Sequence, residues 1–541
     1  MSVEFHCDLE KIMLRISNFK FPLEKDEKDL QSAVESHLGI KIDKLKILKK
    51  AVDARSRTQV WFIYTLEFST DGEDKVLAQA IPFVEKSPIE ETIQIPSAKS
   101  DLRPIVVGSG PAGMFSALIL ARAGLRPIVL ERGKDVNERQ KDVEYFWQKR
   151  KLNPDSNVQF GEGGAGTFSD GKLMSGIKKD KYTAEVFSQL VAAGAPEEIL
   201  YLAKPHLGTD KLVKIVQNIR SEIIKLGGEY RFENRLYDLQ IENGEIKAVL
   251  VQNKDGEIYE QKATDVVLAL GHSARDTFSM LYRRQIPLKA KAFSVGVRIE
   301  HPQSLINKAI YHNFSEHPKL GAADYKLAVH LNNGRSAYSF CMCPGGEVVA
   351  AASEEEKVVT NGMSYYARNG KNANAALLVG VEPKDFGGDH PLQGMYWQQE
   401  LESKAYIAGG RTYAAPAQRV EDLLKQRPSK RGGEVIPTYS CGVVWGDFKT
   451  VLPEFVNDTL RLAIVEMDKK LHGFNYADAV LTGVETRSSS PIRLERDENY
   501  QSPIAGLYPC GEGAGYAGGI VSAAVDGLKV GLSIITKYAK D

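Results

Sequence analysis

The sequence predicts an α/β fold: a parallel, helix-covered sheet assembled from two separated parts of the chain, with one α+β unit in front of it and another inserted into it. Two observations predict the sheet. Arg103 to Glu131 reads as strand, glycine turn, helix, strand, and Gly506 to Ile535 repeats the strand, glycine and helix order near the far end. A third predicts the additions: residues before 99, and residues 292–481, hold short strand patterns and loops but no such unit.

In the first unit, Pro104 to Val107 is an apolar run, and Gly108-Ser109-Gly110-Pro111-Ala112-Gly113 follows at once as a complete G-x-G-x-x-G. Met114 to Ala123 is an apolar, Ala-rich helical stretch that Gly124 ends; Pro127 to Leu130 is a second strand, closed by Glu131. Gly108 permits the tight turn, Gly110 lets a pyrophosphate approach bare backbone, and Gly113 lets the helix sit close to the sheet. Unpaired N–H groups at the helix start attract phosphate. An acid about 20 residues on accepts the hydroxyls of an adenosine ribose. The stretch therefore predicts a Rossmann-like unit holding an adenine dinucleotide.

Residues 1–98 precede that unit. Met13 to Phe21 reads as a strand, Asp26 to His37 as a helix with Leu30, Ala33, Val34 and Leu38 on one stripe and Gly39 as its stop. Ile40 to Leu48 reads as a strand, Val60 to Phe68 alternates as a strand should, and Leu77 to Phe83 reads as another. The order β, α, β, β, β describes a small α+β domain of ferredoxin-like type. Lys41, Lys44, Lys46, Lys49, Lys50, Arg55 and Arg57 cluster near Trp61; this is either a solvated strand face or a docking surface.

The first part of the cofactor domain spans 99–291. Asp135 to Lys151 is charged and helical. Gly161-Glu162-Gly163-Gly164-Ala165-Gly166 then continues to Lys172 without a preceding apolar strand, so it is a backbone-lined loop rather than a second nucleotide fold. Lys211 to Leu226 is an amphipathic helix, Glu229 to Phe232 a strand, and Arg235 to Gln252 a hairpin around Asn243-Gly244. Asp265 to Leu270 is a buried strand ending in Gly271, which lies where open α/β sheets bind ligands. Residues 292–481 read as an inserted α+β substrate or cap domain with strands at Phe293 to Glu300, Tyr338 to Cys343 and Glu347 to Ala352, and an exposed loop at Gln426 to Gly433. Residues 482–541 complete the cofactor domain with the strand Gly506 to Cys510, the glycine run Gly511 to Ile520 and the helix Val521 to Ile535.

At 541 residues, 43% hydrophobic and 26% charged, the chain has the composition of a soluble protein of two to four domains. Lys plus Arg equals Asp plus Glu, 70 each, so no net field favours nucleic acid or an anionic membrane. Five cysteines, an odd and small number, point to a reducing, cytoplasmic setting rather than a disulfide framework. The start, MSVEFHCDLEK, has acids where a signal peptide is basic and apolar. The long apolar stretches are broken by Arg122 and by Asp526 and Lys529, so neither reads as a membrane span.

Together, VVGSGPAG with Glu131, GEGGAGTFSDGK and YPCGEGAGYAGGI resemble the FAD-dependent oxidoreductases of the glutathione-reductase-like superfamily. Within it the chain resembles the bacterial FAD-dependent, NAD(FAD)-utilising dehydrogenase-like family, also through GHSARDTF, SFCMCPGGEVV and VETRSSSPIR. The resemblance implies a Rossmann-like FAD domain of the three-layer ββα type. It implies that Gly108, Gly110, Pro111, Ala112 and Gly113 hold the pyrophosphate and that Glu131, with Arg132, meets the adenosine ribose. Gly163, Gly164, Ala165, Gly166, Thr167 and Lys172 would pass along pyrophosphate and flavin, and Leu236 or a neighbour would meet adenine through its backbone. Gly271 would lie at the sheet edge, Gly511 and Glu512 at the ribityl side, and Gly518, Gly519 and Ile520 at the pyrimidine edge of the ring. The superfamily commonly has Asp where Glu512 stands, so that contact is longer or indirect.

The expected reaction is hydride transfer between flavin and a small organic substrate. With no second dinucleotide fingerprint, and so no separate NAD(P)H domain, NAD(P)H would serve as a transient donor through the substrate cleft. A slow flavin-bound regulatory protein and a flavin-dependent tRNA-modifying enzyme are alternatives, and neutral charge weighs against the second. Candidate catalytic residues are Cys341 and Cys343, His272 and Arg275, and Arg487. The cysteines are a redox pair, a substrate-contacting thiol or buried packing; C-x-C in a regular strand gives poor disulfide geometry. His272 and Arg275 follow a sheet edge and either reach cofactor or substrate or form a loop ion pair. Glu485 and Arg487, just before Ser488-Ser489-Ser490-Pro491, are expected at the junction of cap and flavin; Arg487 suits a substrate carboxylate or an inter-domain salt bridge. No Cys/His spacing predicts a metal site.

Overall fold

A computed structural model describes residues 13–89, 91–174 and 180–539; Cys7 and the N-terminal stretch that bears on a signal peptide lie outside them. Near the N-terminus, strands Leu14–Pro22, Lys44–Asp53, Trp61–Ser69 and Val84–Lys86 form an antiparallel sheet. Their order across the sheet is second, third, first, fourth in sequence. The alternation of Trp61–Ser69 buries Phe62, Tyr64, Leu66 and Phe68 against the helix Leu30–Leu38, which ends on Gly39 at φ 67°. Two expectations shift. The second strand begins at Lys44, because Ile42 N–H donates to Glu35 Oε1 at 3.0 Å and ties the preceding residues to the helix. Leu77 to Phe83 is not a strand: Glu73–Ala78 is helical, with Glu73 and Asp74 in its first turn. Ala80 and Phe83 then take φ of 48° and 66°, which delays the strand to Val84.

The lysine-rich strand Lys44–Asp53 is an edge of that sheet. Lys50 N–H donates to Tyr201 O at 2.7 Å and Ala203 N–H to Lys50 O at 2.8 Å. Lys50 also pairs with Glu27 and lies over the Phe62 ring. Lysines on an edge strand block its pairing with other chains, and here the edge is partly closed by residues 201–203.

The central sheet has five parallel strands: Leu507–Pro509, Val266–Leu268, Ile105–Val107, Ile128–Glu131 and Glu229–Phe232, in that spatial order. The strand from the C-terminal part lies at the edge, beside Val266–Leu268. The helices Pro111–Arg122 and Ile520–Tyr538 pack on one face, so closely that a Cβ on Gly527 would stand 2.0 Å from Ala112 O. The hairpin Asn234–Glu242 and Glu245–Asn253, extended by Ile258–Lys262, covers the other side. Its turn, Asn243-Gly244, has φ of 51° and 77°, the backbone a two-residue hairpin needs.

Residues 292–488 hold a larger sheet than the short strand patterns suggest. Seven strands form it, led by the ten-residue Phe293–Pro302 and Asn372–Val381, which pair antiparallel along their whole length. Both are nearly all buried, as strands covered on both faces are. The strand Val480–Glu485 joins this sheet through Phe293–Pro302 and Ala415–Arg419, so the expected boundary at 481 falls inside a strand. The loop 426–433 is not wholly exposed: Ser429 is buried, its hydroxyl donating to Asp422 Oδ2 at 2.7 Å. No helix of the described residues is long and apolar enough to cross a membrane.

Candidate functional site

The carboxyl ends of the three inner parallel strands and of Leu507–Pro509 open onto one cavity of about 320 Å³. Gly108 leaves its strand at φ 100°, and a Cβ there would meet Ala269 O at 2.3 Å. Gly113 does not face the cavity; a Cβ on it would meet Gly108 O at 1.9 Å, so its bareness serves helix-to-turn packing. Gly110 is the N-cap of the helix and faces Gly164 across the cavity floor, where a Cβ on Gly164 would lie 3.0 Å from Gly110 Cα. Pro111, Ala112, Gly164, Ala165 and Gly166 complete this part of the lining. Gly163 and Thr167 stand behind it: Thr167 is buried, and its Oγ1 would be 2.1 Å from a Cβ on Gly163.

Glu131 and Arg132 line the cavity beside Leu236. The Glu131 carboxylate accepts from the N–H groups of Ser109 (2.8 Å), Gly133 (2.9 Å) and Gly161 (3.0 Å), so it fastens two loops together. A carboxylate offers about four lone-pair sites, which leaves room for a hydroxyl. Arg132 pairs with Asp276 and lies over the Phe160 ring at 4.3 Å. Beneath the second glycine segment, fully buried Arg139 donates to the carbonyls of Asn157 (2.8 Å), Val158 (3.0 Å), Gly161 (3.3 Å) and Glu162 (2.6 Å). One planar guanidinium thus shapes the whole loop. Sequence reasoning did not single out Arg139; an Arg in an otherwise solvent-facing helical pattern gives no sign of this.

Gly518, Gly519 and Ile520 line the other end, where the helix Ile520–Tyr538 begins. Glu512 faces the cavity, and its backbone carbonyl accepts from Gly515 N–H at 2.9 Å. Its carboxyl has no hydrogen-bond donor among the described residues, and burial pushes that carboxyl up to about 7, against the pull of Lys291. Gly511 is held outside the lining, its N–H donating to Asp526 Oδ2 at 2.7 Å. Gly271 lines the cavity at φ 68°. Two bare-backbone turns from distant sequence and a carboxyl without a hydrogen-bond donor around one cavity fit the pyrophosphate and hydroxyl-rich chain of FAD.

The candidate catalytic residues separate. His272 lines the cavity, its Nδ1 3.0 Å from Ser273 Oγ; burial, with Arg487 and Arg275 nearby, pushes it down to about 3, so it is neutral. Arg275 does not reach the cavity. It forms two bonds to Glu402 (2.7 and 2.8 Å) and pairs with Glu354. Arg487 also binds Glu402 (3.0 and 2.8 Å) but lines the cavity, with its Nη1 3.1 Å from Ser273 Oγ. Glu402 is fully buried between the two arginines. The ion-pair alternative therefore describes Arg275 and most of Arg487.

Cys341 lines the cavity; Cys343 is fully buried behind it, and both are free thiols. Cys341 takes φ 41°, and the register between Ser336–Cys343 and Asn372–Val381 breaks between Phe340 and Cys343. The strand is bulged at the C-x-C, which removes the regular geometry assumed from sequence. Lys172 donates to Met342 O and pairs with Asp170 at 2.9 Å. Buried Arg298 donates to Cys341 O at 3.0 Å and lies 3.6 Å from Cys343 Sγ. The Cys343 thiol donates toward Cys341, and with Lys172 and Arg298 this holds the Cys341 thiol well below its ordinary range, against desolvation; Cys343 is raised. Alkylation of Cys341 is therefore expected to stay fast to lower pH than an ordinary thiol, and Lys172→Gln to move that profile upward, read by peptide mass spectrometry after a pH series of iodoacetamide pulses.

Glu485 joins this end of the cavity. Its oxygens lie 3.3 and 3.4 Å from Arg298 Nη1, yet burial pushes the carboxyl up to about 7. A Cβ on Gly362 would stand 1.9 Å from Arg298 Nη2, so that glycine makes the room for the guanidinium. Sequence reasoning expects Glu485 at the junction of cap and flavin; it did not single out Arg298, whose available signal was a charge inside an apolar strand, FSVGVRIEHP.

Residues 101–141 match the family model described as FAD binding domain, residues 292–488 that of FAD-dependent protein, C-terminal domain-like, and residues 13–69 a domain of unknown function. A solved quinol fumarate reductase FrdA of E. coli is similar over 81% of this chain and 71% of its own, at 11% identity and TM-score 0.37. A 3-ketosteroid-Δ4-(5α)-dehydrogenase of Rhodococcus jostii RHA1 covers 83% of this chain and 100% of its own, at 13% identity and TM-score 0.35. A Clostridium beijerinckii protein bearing the name Uncharacterized protein is 47% identical over 534 residues, 97% of this chain and 99% of its own. FAD is the cofactor, as the two matched FAD descriptions and the cavity agree. The chain belongs to the family of that Clostridium beijerinckii protein, a family of FAD-dependent oxidoreductase type.

Proposed function

We propose that the protein transfers hydride between FAD and a small organic molecule that enters beside Lys172, Cys341 and Glu485. The observation that supports this most is the meeting of both glycine turns, at 108–113 and 511–519, on one cavity whose far wall comes from the sheet of residues 292–488. In this reading the chain has an N-terminal ferredoxin-like unit, a Rossmann-like FAD unit of the three-layer type split at about 291 and 488, and an inserted substrate unit. FAD supplies the two-electron chemistry. The backbone of Gly108 to Ala112 and of Gly164 to Gly166 cradles its pyrophosphate, Glu131 and Leu236 meet the adenosine, and Glu512 accepts a ribityl hydroxyl. Gly518 to Ile520, at the helix start, face the ring. Gly113, Gly163, Thr167 and Gly511 act behind this lining by setting its shape.

Glu485 holds or releases the substrate proton, since its carboxyl titrates near neutrality. His272, neutral, and Arg487, fixed by Glu402, form the wall facing it. A nicotinamide donor uses the same entrance in turn, in the absence of a second dinucleotide fingerprint.

The test is anaerobic bleaching of the yellow holoprotein by NADH or NADPH, followed by reoxidation with a panel of small oxidised metabolites. Bleaching and metabolite-dependent return of colour support the reading; a flavin that neither donor nor metabolite changes overturns it. Glu485→Gln is expected to keep FAD and to slow the proton-coupled half-reaction roughly 100-fold. In the wild type, the half-reaction that needs the protonated acid falls off as pH rises through about 7, and in Glu485→Gln that dependence disappears.

A further inference from the structure

The C-x-C lies at a bulge in its sheet, with Cys343 registered opposite Asn374. Cys341 opens on the cavity while Cys343 sits beneath it. Cys343 Sγ lies 3.3 Å from Cys341 O, to which its thiol donates. In an unbroken strand, side chains two residues apart share a face but are too far apart to bond comfortably. Here Cys341 at φ 41° and the register break between Phe340 and Cys343 remove that regular geometry, and the two residues are no longer held at strand spacing. A left-handed backbone at a non-glycine residue is unfavourable, and such strain clusters at sites where it serves chemistry.

The surroundings are equally specific. Lys172 and Arg298, the two cations beside the sulfurs, are each fixed by further groups. Asp170 is fully buried and holds Lys172; Arg368 holds Asp170 in turn by two bonds, one of 2.9 Å to Oδ1. Asn374 holds Arg298 from the paired strand, at 3.1 Å from Nε. Fixed cations beside a thiol favour its thiolate.

We propose that Cys341 and Cys343 form a redox-active dithiol/disulfide pair that passes two electrons from the reduced flavin to a disulfide substrate in the same cavity. The inference rests on the FAD reading above and narrows its substrate to the disulfide class. In the reduced pair the Cys341 thiolate attacks one sulfur of the substrate, forming a mixed disulfide and expelling one substrate thiolate. Cys343 gives its proton to the second substrate sulfur and attacks Cys341 Sγ. This releases the second substrate half as a thiol and closes the Cys341–Cys343 bond. Two electrons from reduced flavin, with one proton, then break that bond and restore the Cys341 thiolate and the Cys343 thiol. The exposed member attacks and the buried one resolves, as their positions in the cavity wall dictate.

Two readouts test the pair. The air-oxidised holoprotein is titrated anaerobically with dithionite, and its denatured peptides are labelled with N-ethylmaleimide before and after reduction. The expected result is a twofold larger uptake of reducing equivalents per FAD in the wild type than in Cys341→Ser or Cys343→Ser. Labels on the peptide 336–343 should also appear only after reduction. Equal uptake in all three proteins, with both thiols labelled in the oxidised wild type, overturns the proposal. The labelling needs no bound flavin, so a protein that fails to hold FAD sinks the FAD reading while the pair is still judged by its peptides.

Discussion

Gly108→Ala is expected to yield a protein that purifies without yellow colour. The native φ of 100° is closed to alanine at a cost of about 1–3 kcal/mol. The new Cβ would also stand 2.3 Å from Ala269 O, a backbone atom at the end of the neighbouring strand. Relief requires one of the two strand ends to move, and both ends carry the cavity. If this turn holds the pyrophosphate as proposed, a loss of FAD affinity of roughly 100-fold or more follows from a few kcal/mol there. Gly334→Ala is the control: its φ is 79°, with nothing within 4 Å of the added carbon. It should incur the backbone strain alone and stay yellow. The ratio of flavin to protein absorbance, with far-ultraviolet circular dichroism to check folding, decides the matter. A Gly108→Ala protein with full flavin content and wild-type circular dichroism refutes the placement of the pyrophosphate on this turn.

The second large effect is expected at Glu402. Glu402→Gln leaves Arg275 and Arg487 buried around a neutral amide, and breaking one member of a buried ion cluster typically costs about 3–5 kcal/mol. Burial alone would raise the Glu402 carboxyl, but the two guanidiniums outweigh it and hold it well below the ordinary carboxylate range. The sign follows from that depression. A carboxyl with a lowered folded-state pKa contributes stability fully above its unfolded value near 4.5, and the contribution fades as pH falls toward the folded value. Urea midpoints should therefore separate wild type from Glu402→Gln most at neutral pH, and the gap should narrow below about pH 4.5. A gap that is constant across that range removes Glu402 as the ionised centre of the cluster. Because Arg487 also touches Ser273 at the cavity wall, the variant should loosen that wall as well as the core.

The cofactor half of the molecule was legible because its signals are local. The glycine spacing, the apolar helix after it and the acid closing the second strand lie within thirty residues, and the physics that needs them acts over the same short range. Asn372–Val381 was not legible: its polar start and internal glycine hide a strand that exists because Phe293–Pro302 and Ser336–Cys343 flank it. Leu77 to Phe83 went the other way, its apolar residues suggesting a strand where acids in a first helical turn win locally. The candidate site divides along the same line. Backbone contributors to the cradle could be named from glycines. The members that depend on distant partners, Arg298 with Glu485 and Arg275 with Glu402, could not be assigned to cavity or core from sequence, since burial and pairing are properties of the assembled sheet. Cys341 and Cys343 were visible as residues, but the bulge at which they lie is a mismatch between two strands, and spacing does not report it.

The edge position of Leu507–Pro509 in the five-stranded sheet also bears on how the protein comes into being. Its neighbour, Val266–Leu268, is synthesised some 240 residues earlier, which at roughly 5–20 residues per second is ten seconds or more of translation. Throughout that interval the emerging polypeptide displays an open sheet margin and a half-built nest for its coenzyme. The cavity can therefore be completed only after residues 507–520 have been made, near the end of synthesis.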